Sequence, residues 1–124
     1  MLSKKIKQMA VTAITVAIFV AAGAGQVTAH HGWSEYNNKQ TLNLTGKIQN
    51  VSYDYPHVTV RVTSSDRVWL AVLAPPSRMQ RRGLSTTALK VGETVRLVGY
   101  PHQSEPNEMR AEQITIGKQT VELR

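Results

Sequence analysis

The clearest pattern in the chain is a strict alternation from His57 to Thr63. Val58, Val60 and Val62 face one way and His57, Thr59, Arg61 and Thr63 the other, which is the period of a half-buried strand. A longer strand is predicted over residues 41–53. Leu42, Leu44 and Ile48 hold one phase, and Val51 and Tyr53 continue it after a shift, so a bend or bulge is expected near Gln49 and Asn50, with Gly46 close by. Asp54-Tyr55-Pro56 is read as the turn between these strands, because a proline drives the residue before it into extended backbone. Ser64-Ser65-Asp66 is a polar hairpin turn leading into 68–73, a stretch apolar on both faces and therefore predicted to be a central strand.

Beyond that strand the pattern changes. Ala74-Pro75-Pro76-Ser77 ends it and opens a short helix with Ser77 as N-cap, stopped by Gly83 at the C-terminal cap. A second helical turn is expected over 85–90, and Val91-Gly92-Glu93 turns the chain into a strand over 94–100. Residues 101–107 read as a loop, 109–116 as another strand, and 120–123 as an extra strand after Gly117-Lys118. A long bent first strand with a helix between the third and fourth strands is the order of a five-stranded OB barrel. The fold class expected is therefore all-β, a small OB-fold-like barrel of five to six strands with one short helical insert. A six-stranded sandwich or roll has the same periodicities.

The beginning of the chain belongs to a different kind of pattern. Lys4, Lys5 and Lys7 precede an uncharged, alanine-rich stretch of about 15 residues, followed by Gly23–Gln26 and then Val27-Thr28-Ala29. Those are the three zones of a cleavable signal peptide, and the apolar run falls short of the roughly 20 residues needed to span a bilayer. The domains expected are a signal peptide over 1–29, an N-terminal arm over 30–40 and the barrel over 41–124. The protein is expected to be periplasmic or secreted, meeting the membrane only during export.

Removing the leader alters the charge picture. Of 15 Lys+Arg, three leave with it, so twelve basic residues face eight acidic ones. A balance that mild does not call for a nucleic-acid partner. Cysteine is absent, which excludes disulfides, thiolate metal sites and a cysteine nucleophile. No nucleotide-binding, metalloprotease or serine-hydrolase motif occurs, so the sequence reads as a binding module and not as an enzyme.

Cleavage after Ala29 would create the most informative chemistry. The mature chain would begin His30-His31-Gly32-Trp33, placing a free α-amine beside imidazoles. An amine and ring from His30, or the amine, the intervening amide and the His31 ring, suit the tetragonal nitrogen preference of Cu(II). Trp33 is expected to pin the arm to the barrel, and His57 is the candidate third ligand if the arm folds back. The plain alternative is a frayed, solvated terminus. His102, in a polar loop, is read as solvated.

A second, metal-free reading uses Arg78, Arg81 and Arg82, spaced i, i+3, i+4 on the short helix. Three guanidiniums there suit a small anionic ligand or a periplasmic protein partner, or form an ordinary solvated face.

The same residues resemble a family of small exported bacterial proteins catalogued as a domain of unknown function. The resemblance rests on His30-His31-Gly32-Trp33 and on Pro56-His57 opening a valine-rich strand. It rests also on Ala74-Pro75-Pro76-Ser77-Arg78-Met79 leading to Arg81-Arg82-Gly83-Leu84, and on Val91-Gly92-Glu93 and Met109-Arg110-Ala111-Glu112. It implies a periplasmic, single-domain protein and assigns no activity. The family pattern has Asn before Pro-His where this chain has Tyr55.

Overall fold

The computed structural model describes residues 32–124. The expected signal peptide over 1–29, His30 and His31 lie outside them. Six strands and one helix follow in order: β1 (Leu42–Ser52), β2 (Thr59–Ser64), β3 (Arg67–Val72), α1 (Pro76–Arg81), β4 (Thr94–Pro101), β5 (Glu108–Ile116) and β6 (Gln119–Glu122). The sheet runs β3-β2-β1-β4-β5-β6, and a parallel pairing of β3 with β5 joins its ends. Five strands thus close into the OB barrel and β6 is added beside β5. Closure removes the edges that an open sheet of this order would expose.

Each turn of the barrel has a local cause. β1 serves two neighbours: Leu42–Lys47 pair with β4, while Lys47–Ser52 pair with β2 across a register shift between Ile48 and Asn50. That shift is the predicted bulge, and it lets one strand bend from one sheet into the other. β2 and β3 form a hairpin whose two turn residues, Ser65 and Asp66, both have positive φ, the backbone that matches strand twist in a tight hairpin. A second register shift lies between Val98 and Gly99 in the β4–β5 pairing: Val98 pairs with Gln113 and Gly99 with Ala111, leaving Glu112 as the extra residue. Ala111 and Ile114, three residues apart, are consequently both fully buried.

The core fills the barrel. Val58, Val60 and Val62 are buried as their alternation requires, together with Ile48, Ala71, Leu73, Leu97, Met109 and Ile114. Met79 from α1 and Leu84 just after it join the same cluster. Tyr53 donates its hydroxyl proton to the Leu84 carbonyl at 2.7 Å, tying the end of β1 to the segment behind α1.

Three local expectations are corrected. The helix begins at Pro76 with Pro75 in the N-cap position, so Ser77 is a helical residue and not the cap; a proline at the first helical position has no N–H to leave unsatisfied. Gly83 does follow the helix with φ +83°. Residues 85–90 make turns instead of a second helix, with one Ala88 to Ser85 backbone bond. Finally, β3 is not apolar-buried throughout: Val68 is 48 % exposed, because only Leu70–Val72 of β3 pair with β5. Among the described residues no helix is long and apolar enough to cross a membrane.

Candidate functional site

The arm is docked on the barrel wall. Trp33–Glu35 form a single 3₁₀ turn, and the chain then runs beside the end of β4. Tyr36 bridges His102, the Asn37 N–H donates to the Pro101 carbonyl at 2.8 Å, and the Gln103 N–H donates to the Glu35 carbonyl at 2.9 Å. Tyr36 is buried and donates its hydroxyl proton to Glu108 Oε2 at 2.7 Å. Burial first, and the Glu108 carboxylate second, push its pKa far above the usual phenol range, so it remains a donor. Trp33 meets the Tyr100 ring edge-on at 6.1 Å between centroids. The guanidiniums of Arg110 and Arg124 lie 4.6 and 4.5 Å from its ring centre. Such contacts contribute about 0.5–2 kcal/mol each, more where water is excluded. Arg124 also pairs with Glu112 at 3.0 Å.

Arg110 is the centre of this arrangement. It is the buried charged residue of the barrel wall, 4 % exposed, and pairs across the sheet with Tyr100 and Val72. Burial is the largest influence lowering its pKa, and Arg78 and Arg124 add to it. Its Nη2 lies 3.3 Å from Nε2 of His57, which stands at the end of the turn between β1 and β2. The structure thus links the arm, through Trp33 and Arg110, to the histidine that the alternation places outward.

The other expected site residues separate. Arg78 donates to the Leu123 carbonyl at 3.2 Å and Arg82 to that of Glu122, so both hold the C-terminal strand against α1. Arg81 is exposed. The i, i+3, i+4 spacing is real, and two of the three guanidiniums are engaged by neighbouring backbone carbonyls at the C-terminal end. His102 is not solvated: its side chain is 12 % exposed and lies 3.8 Å from both Glu35 Oε2 and Glu108 Oε2. Its Nδ1 accepts the backbone N–H groups of Ser104 at 3.1 Å and Glu105 at 2.9 Å.

Residues 16–109 match the family of unknown function DUF6152, a stretch covering three quarters of the chain. The chain belongs to the DUF6152 family. The matched stretch carries His30, His31, Trp33 and His57 and ends one residue before Arg110. No curated protein matches the chain. Among solved structures, a chain from the crystal structure of TiaS in complex with an isoleucine tRNA and ATP is similar with a TM-score of 0.51 and 20 % identity, over 72 % of this chain and 20 % of that one. The DUF6152 chain therefore spans about a fifth of that protein, and at such identity the likeness concerns the fold.

What the described part of this DUF6152 protein can do chemically is decided by its imidazole lone pairs. A ring nitrogen binds a metal only through a lone pair that no N–H donor is using. On His102, two backbone donors occupy Nδ1, so the ring proton sits on Nε2 and points between two carboxylates. That ring fastens the loop to the arm. On His57, a guanidinium that can only donate occupies Nε2. Among the described residues no group of three His, Cys, Asp or Glu is placed to hold a metal ion. The roles of Arg110 and Arg124 are not visible in the sequence, because the segment that covers Arg110 is far from it along the chain. The one available signal is Trp33, a large ring in a polar arm that needs something to cover.

Proposed function

We propose that the DUF6152 chain is an exported OB-barrel module, acting in the periplasm or outside the cell, that binds a transition metal, copper(II) first. The ligands are the freed α-amine and the His30 and His31 nitrogens, and His57 is a conditional third side chain. The observation that supports this reading is the seating of Trp33 between Tyr100, Arg110 and Arg124. A frayed terminus would have no such anchor. Because the anchor begins two residues after His31, the terminal chelate would be presented from a fixed wall of the barrel, and fixing a ligand segment reduces the entropy lost on binding. Copper(II) is favoured because amine, amide and imidazole nitrogens suit its tetragonal geometry. The Arg78, Arg81 and Arg82 alternative draws no comparable support, since two of those side chains hold the C-terminal strand.

The test is a calorimetric titration with Cu(II) of the protein collected after export, against the same protein with its α-amine acetylated. The expected result is one tight equivalent for the native form and a loss of at least about 100-fold on acetylation, since both chelate arrangements use the amine at His30. Equal, weak binding by the two forms would contradict the reading.

A further inference from the structure

We propose that Arg78, Arg110 and Arg124 form an anion site on the wall of the barrel where the arm docks. Its ligand is a small oxyanion carrying two charges, a phosphate or a dicarboxylate. The site uses neither His30 nor His31, so it stands or falls apart from the copper reading.

Three elements bring these arginines together. Arg110 projects outward from β5, Arg124 follows β6 and Arg78 belongs to α1. The guanidinium carbons of Arg110 and Arg124 lie 4.6 and 4.5 Å from the centre of the same Trp33 ring, so they stand no further apart than those two distances laid end to end. Arg78 reaches the same place: its Nη1 donates at 3.2 Å to the carbonyl of Leu123, the residue before Arg124. Arg78 and Arg124 both disfavour the charge on Arg110, as like charges do at short range, and a buried guanidinium is screened little by water. Arginine does not escape such repulsion by losing its proton. An anion placed among the three relieves it.

The donors suit an oxyanion. Trp33 holds Arg110 and Arg124 through its ring face, an attraction to the cation that consumes no N–H group. Arg124 Nη1 pairs with Glu112 at 3.0 Å, and the Tyr100 hydroxyl also donates to Glu112, which fixes that carboxylate in position. The bonds to Leu123 and Glu112 engage Nη1 of Arg78 and of Arg124. A guanidinium carries five N–H donors in one plane, so both side chains keep donors for the paired oxygens of a phosphate or carboxylate. The Arg124 side chain is 59 % exposed, giving the ligand a way in from solvent, while Arg110 supplies charge from beneath. Three cations beside one ligand favour two negative charges over one.

The experiment titrates the purified protein with sodium phosphate and, separately, with sodium malonate. Binding is read by calorimetry in a buffer free of other oxyanions, with ionic strength fixed by sodium chloride. The forms compared are native, Arg124→Gln, Arg78→Gln and Arg96→Gln, the last removing an exposed charge of β4 outside the site. One saturable equivalent is expected for the native protein. It should weaken about ten-fold or more in Arg124→Gln and in Arg78→Gln, and change by less than about two-fold in Arg96→Gln. Tighter phosphate points to a phosphorylated ligand and tighter malonate to a dicarboxylate, and either supports the site. No saturable binding of either anion would overturn it, and so would equal losses in all three variants, which would report net charge alone. Should a variant not fold, nitrogen-15 spectra of the native protein decide. Nε–H signals of Arg78 and Arg124 that move with phosphate at fixed ionic strength support the site, and signals that do not move overturn it.

Discussion

Replacing Gly99 with alanine is expected to cost about 3 kcal/mol or more. A Cβ there would sit 2.8 Å from the Ala111 Cα and well inside contact distance of the Arg110 carbonyl oxygen. Both obstacles are backbone of the paired strand, so no rotamer change relieves them. The site lies on the β4–β5 bulge that allows Ala111 and Ile114 to face the core together, and shifting it would disturb burial on both sides. For a domain of this size, that loss corresponds to a melting temperature lower by roughly 12–24 °C. Thermal unfolding followed by circular dichroism measures it; a fall of less than about 4 °C would mean that the bulge tolerates a side chain.

Met79→Ala is expected to destabilise the fold by about 2–5 kcal/mol, because it empties a fully buried position where the surroundings relax only in part. Met79 is completely covered and contributes α1's side of the core cluster. The chain around it is held in place, since the Leu84 N–H donates to the Met79 carbonyl at 2.8 Å, and that restraint limits collapse into the space. Met79→Leu conserves most of the volume and should cost less than about 1.5 kcal/mol. Urea unfolding of the pair tests this: equal losses for the two variants would show that the position is sensitive to shape and not to volume.

Much of the barrel can be read from the chain alone because strand faces leave a period. Val58, Val60 and Val62 announce β2, and the phase shift between Ile48 and Val51 announces the bulge that bends β1. The closing contact leaves no such mark. Leu70–Val72 meet Glu108–Arg110 in parallel, and pairing between segments so far apart in the chain is a tertiary event with no local signature. The same reason explains Val68, whose apolar surroundings suggest burial although its part of β3 extends past the end of that pairing.

The candidate site is legible only at one end. His30, His31 and Trp33 stand out by residue type at the expected cleavage junction, and the outward phase expected of His57 is the one that brings it to Arg110. That partner is not visible in the sequence, because Arg110 alternates like an ordinary solvent-facing residue until the arm covers it. His102 departs from its expected solvation for a similar reason: its loop is polar in composition, yet Ser104 and Glu105 turn back onto its ring and Glu35 arrives from the arm. The helical arginines show the reverse, a spacing that suggests one shared ligand where two side chains serve backbone carbonyls.

A free amine at His30 underlies the chelate, and the intact mass of the exported polypeptide examines it directly. The mass expected is that of residues 30–124 with an unmodified terminus. A chain that starts at any other residue, or retains its leader, would contradict copper binding by the terminal histidines.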